Sequence, residues 1–180
     1  MSTREDFHRF RALDIDCSSI GLEQGGDTPY FCTPVGAEYV GWIGCDGVHF
    51  VLLPGDERVF CVDPAMGEEG TYVLPVAADF REFLSFVLYC RDANPLSQIW
   101  WMEEPRFRQF LTEETAARWP NCEEFFAKKE TALDTIARVF ELTLRDPYEK
   151  VKALQAAFDP DCLMFSDEYY EVLGLDREER

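Results

Sequence analysis

Cys45, Asp46 and His49 are the residues whose types and spacing could do chemistry: a thiol, a carboxylate and an imidazole within five positions. In mutual hydrogen-bond contact they would form a cysteine nucleophile with its base. The same stretch, Gly44-Cys45-Asp46-Gly47, has the composition of a tight reversal, with Asp bonding its own backbone and Gly taking a positive φ. That places the thiol on a turn and the imidazole on the strand after it, which favours a sheet-face or core histidine over a catalytic base. His8, the other of the two histidines, falls on a charged helix, so acid–base chemistry near neutral pH has few candidates. No catalytic residue is assigned, and the chain is expected not to be an enzyme.

Other constellations are weaker still. The seven cysteines, at 17, 32, 45, 61, 90, 122 and 162, are odd in number and contain no CxxC pair; several sit in apolar runs, where a thiol acts as a small hydrophobe. Sulfur and imidazole ligands do not cluster at zinc spacings, and the Asp-rich turns lack a calcium-loop pattern, so no metal is expected. Neither GxxxxGK[ST] nor GxGxxG after a strand occurs, which leaves the glycines as turn formers and no cofactor implied. Glu68-Glu69 and Glu103-Glu104 read as solvated charge runs. Trp100-Trp101 is more informative: adjacent indoles on a helix point about 100° apart, so one of the two is expected to be exposed, beside carboxylates.

Asp and Glu total 35 against 17 Lys and Arg, a net charge of −18. This field repels phosphate backbones and anionic lipid, arguing against nucleic-acid and membrane partners, and attracts a basic protein. The charged N-terminus has no signal-peptide core, no run is long enough to cross a bilayer, and the unpaired cysteines fit a reducing cytoplasm.

The elements that must position these residues follow from period and punctuation. Arg4 to Leu13 gives a short helix with Phe7 and Phe10 on one side and Ser2 or Thr3 as cap. Pro29 to Cys32 suits an edge strand. Strands are expected at Tyr39 to Ile43, Val48 to Leu53, Arg58 to Val62 and Tyr72 to Val76, separated by the Asp46 turn, by Pro54-Gly55-Asp56 and by the acidic loop from Asp63 to Gly70. In the second of them Val48, Phe50 and Leu52 share one face, and His49, Val51 and Leu53 the other. At Asp79 the period changes to about 3.6, and Phe80, Phe83, Leu84, Val87 and Leu88 form one apolar stripe. Further helices start near Pro95 and Pro105, span Asn121 to Leu144, and restart at Asp146-Pro147. The tail from Asp159 is acidic and aromatic, with Phe165, Tyr169 and Tyr170 as anchors. The fold class is α+β: a central antiparallel or mixed sheet of about five or six strands flanked by helices, with a helical C-terminal third. Residues 1–100 are expected to form the core and 101–180 a helical extension packed on it.

The block GWIGCDGVHFVLLPGDERVFCVDP, followed by YVLPVAADFREFLSFVL, resembles the SUKH superfamily, which includes bacterial toxin-immunity proteins and fungal regulators of cell-wall glucan synthesis. Its Gly-Asp-Gly-type turn, apolar strand, Val-x-Val strand and A-x-x-F-x-x-F-L helix correspond here to Asp46-Gly47, Val48 to Leu53, Val59 to Val62, and Ala77 through Leu84. The resemblance implies an α+β fold, no catalytic activity and binding of a protein, a basic nuclease-type toxin that this chain would neutralise. The partner-binding residues expected on this basis are Asp46, Asp56, Glu57, Glu68 and Glu69, with Trp100 or Trp101 as apolar anchor. A small-molecule or peptide pocket among Tyr39, Trp42, Phe50 and Trp101 is the first alternative, and an enzyme based on Cys45, Asp46 and His49 the second.

Overall fold

The computed structural model of the chain describes residues 2–25, 28–66 and 72–176. Helix α1, Thr3–Arg11, opens under a capping box in which Ser2 and Glu5 satisfy one another's backbone donors. Four strands follow, β1 (Glu38–Trp42), β2 (His49–Leu52), β3 (Val59–Val62) and β4 (Val73–Ala77), paired antiparallel in sequence order. Helix α2, Phe80–Cys90, begins where the Asp79 side chain accepts the Glu82 N–H at 2.7 Å. Helices α3 (Asn94–Gln98), α4 (Glu104–Ala116), α5 (Glu123–Phe140), α6 (Tyr148–Ala156) and α7 (Asp167–Leu173) follow among the described residues.

Both faces of the sheet are covered. Val48, Phe50 and Leu52 point into a core shared with Phe7 and Phe10 of α1, Phe80, Phe83 and Val87 of α2, and Leu133, Ile136 and Phe140 of α5. Val51, Leu53, Phe60 and Val62 point the other way, under Leu163, Phe165 and Tyr169. The alternation expected for this strand therefore holds, and the tail is anchored by aromatic contact, with Phe165 and Tyr169 stacked at 3.9 Å between ring centroids. Phe107, Tyr148 and Val151 of the helical third join the first core.

Two expectations change. The sheet has four strands among the described residues rather than five or six, and Pro29 to Cys32 forms no strand. Prolines at 29 and 34 remove ladder donors on both sides of that run, and its Thr33 N–H turns back onto the Tyr30 carbonyl at 2.9 Å. The edge it was expected to occupy is held by the segment before it. Glu23 and Trp42 exchange backbone bonds of 2.8 and 3.0 Å, and Gln24 Nε2 donates to the Val40 carbonyl at 3.0 Å. At the other edge Pro75 lacks an N–H and α6 lies against β4. Both edges are thereby closed to further strands.

Candidate functional site

The site grows from an irregularity in β1. The pairing of β1 with β2 slips between Tyr39 and Gly41, so that Tyr39 faces Val51 while Trp42 faces His49. In a regular strand residues three apart point to opposite faces. The extra residue of this bulge turns Tyr39 and Trp42 to the same face, where their rings stack at 5.3 Å and His49 lies 4.2 Å from the indole. Gly41, at the bulge, lets the 22–24 segment approach β1 closely, because a Cβ there would stand 2.8 Å from the Leu22 backbone.

His49 holds the site together. Its side chain is fully buried, with Nδ1 2.7 Å from the Gly47 carbonyl and Nε2 3.2 Å from Thr33 Oγ1. A carbonyl only accepts, so Nδ1 carries the proton, Nε2 accepts, and the Thr33 hydroxyl donates to it. Thr33 Oγ1 in turn accepts the Tyr30 N–H at 3.0 Å. A three-bond chain thus ties the loop carrying Tyr30 to the β1–β2 turn. Burial pulls the imidazole down to about 4, against a smaller upward pull from Gly47, so it is neutral near pH 7.

Above this chain lies an open concavity of about 470 Å³. Tyr30, 41% exposed, forms one wall, 5.7 Å from the Trp42 ring. Glu23 and Gln24 form a second wall, and Cys45 and Asp46 the lip. Gly47, at φ 73°, lies so close to Tyr30 that a Cβ would meet its ring at 2.5 Å. The Glu23 carboxylate reaches the turn as well, with Oε2 3.2 Å from where a Gly44 Cβ would be. Neither Lys nor Arg lines the concavity among the described residues. Along the stretch that builds the sheet, between Ala12 and Phe80, there are twelve carboxylates and one Lys or Arg, Arg58; of these carboxylates Glu23 and Asp46 line the concavity, while Glu38 pairs with Arg4. Asp63, at the start of the β3–β4 connection, is 8% exposed. Burial pushes its carboxyl up, the Ala65 N–H pulls it down, and the nearby Asp46 charge adds to the rise.

The residues singled out from sequence are not brought onto one surface. Asp46 sits exposed on the β1–β2 turn at the concavity. Asp56 and Glu57 sit on the β2–β3 turn, at the opposite end of the antiparallel sheet, and both have internal partners. Asp56 pairs with Arg58 at 2.6 Å, and a Glu57 carboxylate oxygen accepts the Thr3 N–H at 2.7 Å at the start of α1. Glu68 and Glu69 lie outside the described residues. Trp100 is half-buried, its carbonyl accepting from Lys152 Nζ at 2.9 Å, whereas Trp101 is 52% exposed. Phe50 turns to the α2 core, 5.1 Å from Phe83, so of the proposed aromatic pocket Tyr39 and Trp42 share a face and Phe50 does not. Tyr30 and Glu23 were not anticipated as site residues; loop residues carry no periodic signal, and the short aromatic run of Tyr30 and Phe31 between prolines read as an edge strand.

The chemistry open to Cys45 is limited by its surroundings. Partial burial and the Asp46 charge push its thiol up, away from the thiolate that a nucleophile needs. His49 is directed to Gly47 and Thr33. Cys17, Cys32, Cys61, Cys90 and Cys122 are buried, and burial pushes Cys17 and Cys32 up to about 12, as expected of thiols acting as hydrophobes. Among the described residues no helix is long and apolar enough to cross a membrane, and no group of His, Cys, Asp or Glu is arranged to hold a metal ion. No family model, curated protein or solved structure matches the chain.

Proposed function

We propose that the protein is a non-catalytic binding module for a basic protein, and that it engages this partner with the sheet end formed by the β1–β2 turn, the 22–25 segment and the start of the β3–β4 connection. The observation that carries this reading is the aromatic concavity lined by Glu23 and Asp46 without a basic side chain, in a stretch with twelve carboxylates and one arginine. Exposed carboxylates around an aromatic surface steer a cationic partner and give it an apolar seat once docked. The SUKH resemblance implies a nuclease-type toxin domain as that partner, and neutralisation by occlusion as the outcome.

Capture from a native lysate of the source cells tests this when wild type is compared with the Glu23→Gln, Asp46→Asn double variant. Asn tolerates the left-handed backbone of position 46, where φ is 54°. Basic proteins held at low salt, released at high salt and not held by the variant support the reading. Capture that is unchanged by salt or by the two substitutions contradicts it.

A further inference from the structure

We infer that the Tyr30–Trp42 concavity is a receptor for a single arginine side chain of the partner. This deepens the proposal above and rests on it. Three features converge on a guanidinium. Tyr30 presents the exposed ring of the concavity, and a cation within about 6 Å of such a ring face is attracted by its quadrupole. Trp42 cannot offer both faces equally, because Tyr39 stacks on it at 13° between planes and His49 crowds it from the sheet. Glu23 and Asp46 approach from two sides, the first from the segment paired to β1 and the second from the β1–β2 turn. A planar group with five donors can lie on Tyr30 and donate to both carboxylates at once; an ammonium, a compact point charge with a tighter water shell, matches the ring and the two rims less well.

The supporting framework keeps the receptor formed without a ligand. His49 donates to Gly47 and accepts from Thr33, which holds the Tyr30 amide, and Gly47 offers no side chain where the Tyr30 ring packs. Little ordering is then needed on binding, which raises affinity for a small group.

The test follows the Trp42 indole N–H resonance while the protein is titrated with an acetylated and amidated Gly-Ser-Arg-Ser-Gly peptide, its Lys counterpart and its citrulline counterpart. The Arg peptide is expected to shift that signal saturably, the Lys peptide to bind more weakly, and the citrulline peptide, planar but uncharged, to give no saturable shift. Tyr30→Leu, which keeps apolar bulk without a ring, should weaken the Arg peptide about threefold to fivefold, and Asp46→Asn should weaken it as well. A Trp42 signal that stays still, Lys bound as tightly as Arg, or citrulline bound as tightly as Arg overturns the inference. Loss of the arginine receptor is separable from loss of the wider proposal. If a basic protein is captured salt-sensitively through Glu23 and Asp46 yet Tyr30→Leu has no effect, the receptor falls and the binding surface stands.

Discussion

Protonating His49 in the folded protein would place a charge on a ring with no exposed surface and turn the Thr33 hydroxyl from donor to acceptor, and burial is what opposes the charged form. Its folded value of about 4 lies below the ordinary 6.5, so the unfolded chain binds the proton first as pH falls. Stability from this group is therefore complete above about pH 6.5, declines between pH 6.5 and 4, and is level below, a total of about 3 kcal/mol. Denaturant midpoints at pH 7.5, 5.5 and 4 check this: the fall should be steeper for wild type than for His49→Gln, and parallel curves would contradict it. Gly47→Ala makes a second residue-scale test. At φ 73°, with the Tyr30 ring 2.5 Å from the added Cβ, it should cost about 1 to 3 kcal/mol and loosen the Tyr30 loop. The loss should appear both in the melting temperature and in faster exchange of the Tyr30 amide.

At the scale of elements, the bulge in β1 decides whether a site exists. Gly41→Ala adds a methyl 2.8 Å from the Leu22 backbone, which should push the 22–24 segment off β1 at a cost of about 1 to 3 kcal/mol. Exchange at the Glu23 and Trp42 amides, which pair with each other across that edge, should rise more than exchange at β3. Equal protection in variant and wild type would show that the edge does not depend on the glycine. The strand faces were legible because alternation is a local signal: Val48, Phe50 and Leu52 against His49, Val51 and Leu53 came out as expected. The bulge was not legible, since it is a slip in the pairing of β1 with β2, and neither was the close backbone approach of position 22 to Gly41 at the strand's other edge. The division of the acidic residues follows from the topology: successive turns of a meander alternate ends, so Asp46 and Asp56 cannot share a surface formed by one end of the sheet. Asp56 and Glu57 serve instead to close the β2–β3 turn and to receive α1.

For the whole molecule, the relevant quantity is the uneven placement of charge rather than its total. The stretch that builds the sheet is almost without Lys or Arg, while thirteen of the seventeen Lys and Arg follow it in the sequence, among them Arg108 and Lys129, which pair with Asp146 and Asp92 at 2.7 Å. The first pair is partly exposed and the second mostly covered; both cancel charge locally on the helices, which leaves the unneutralised field at the sheet end. Asp63 illustrates the compromise. Its carboxyl is pushed up by burial and by Asp46, so ionised Asp63 opposes folding at neutral pH while adding to the field. Asp63→Asn should accordingly melt higher at pH 7 and hold a basic partner less tightly; a variant that melts lower would assign Asp63 a stabilising role.

The most direct measurement is the association rate of the captured basic partner with the wild type and with the Glu23→Gln, Asp46→Asn variant, followed from low to high ionic strength. If the sheet end steers the partner, the wild-type rate falls steeply as salt screens the field and the variant's rate is lower at low salt with a shallower slope. Superimposable rates and slopes for the two proteins would show that the partner arrives elsewhere.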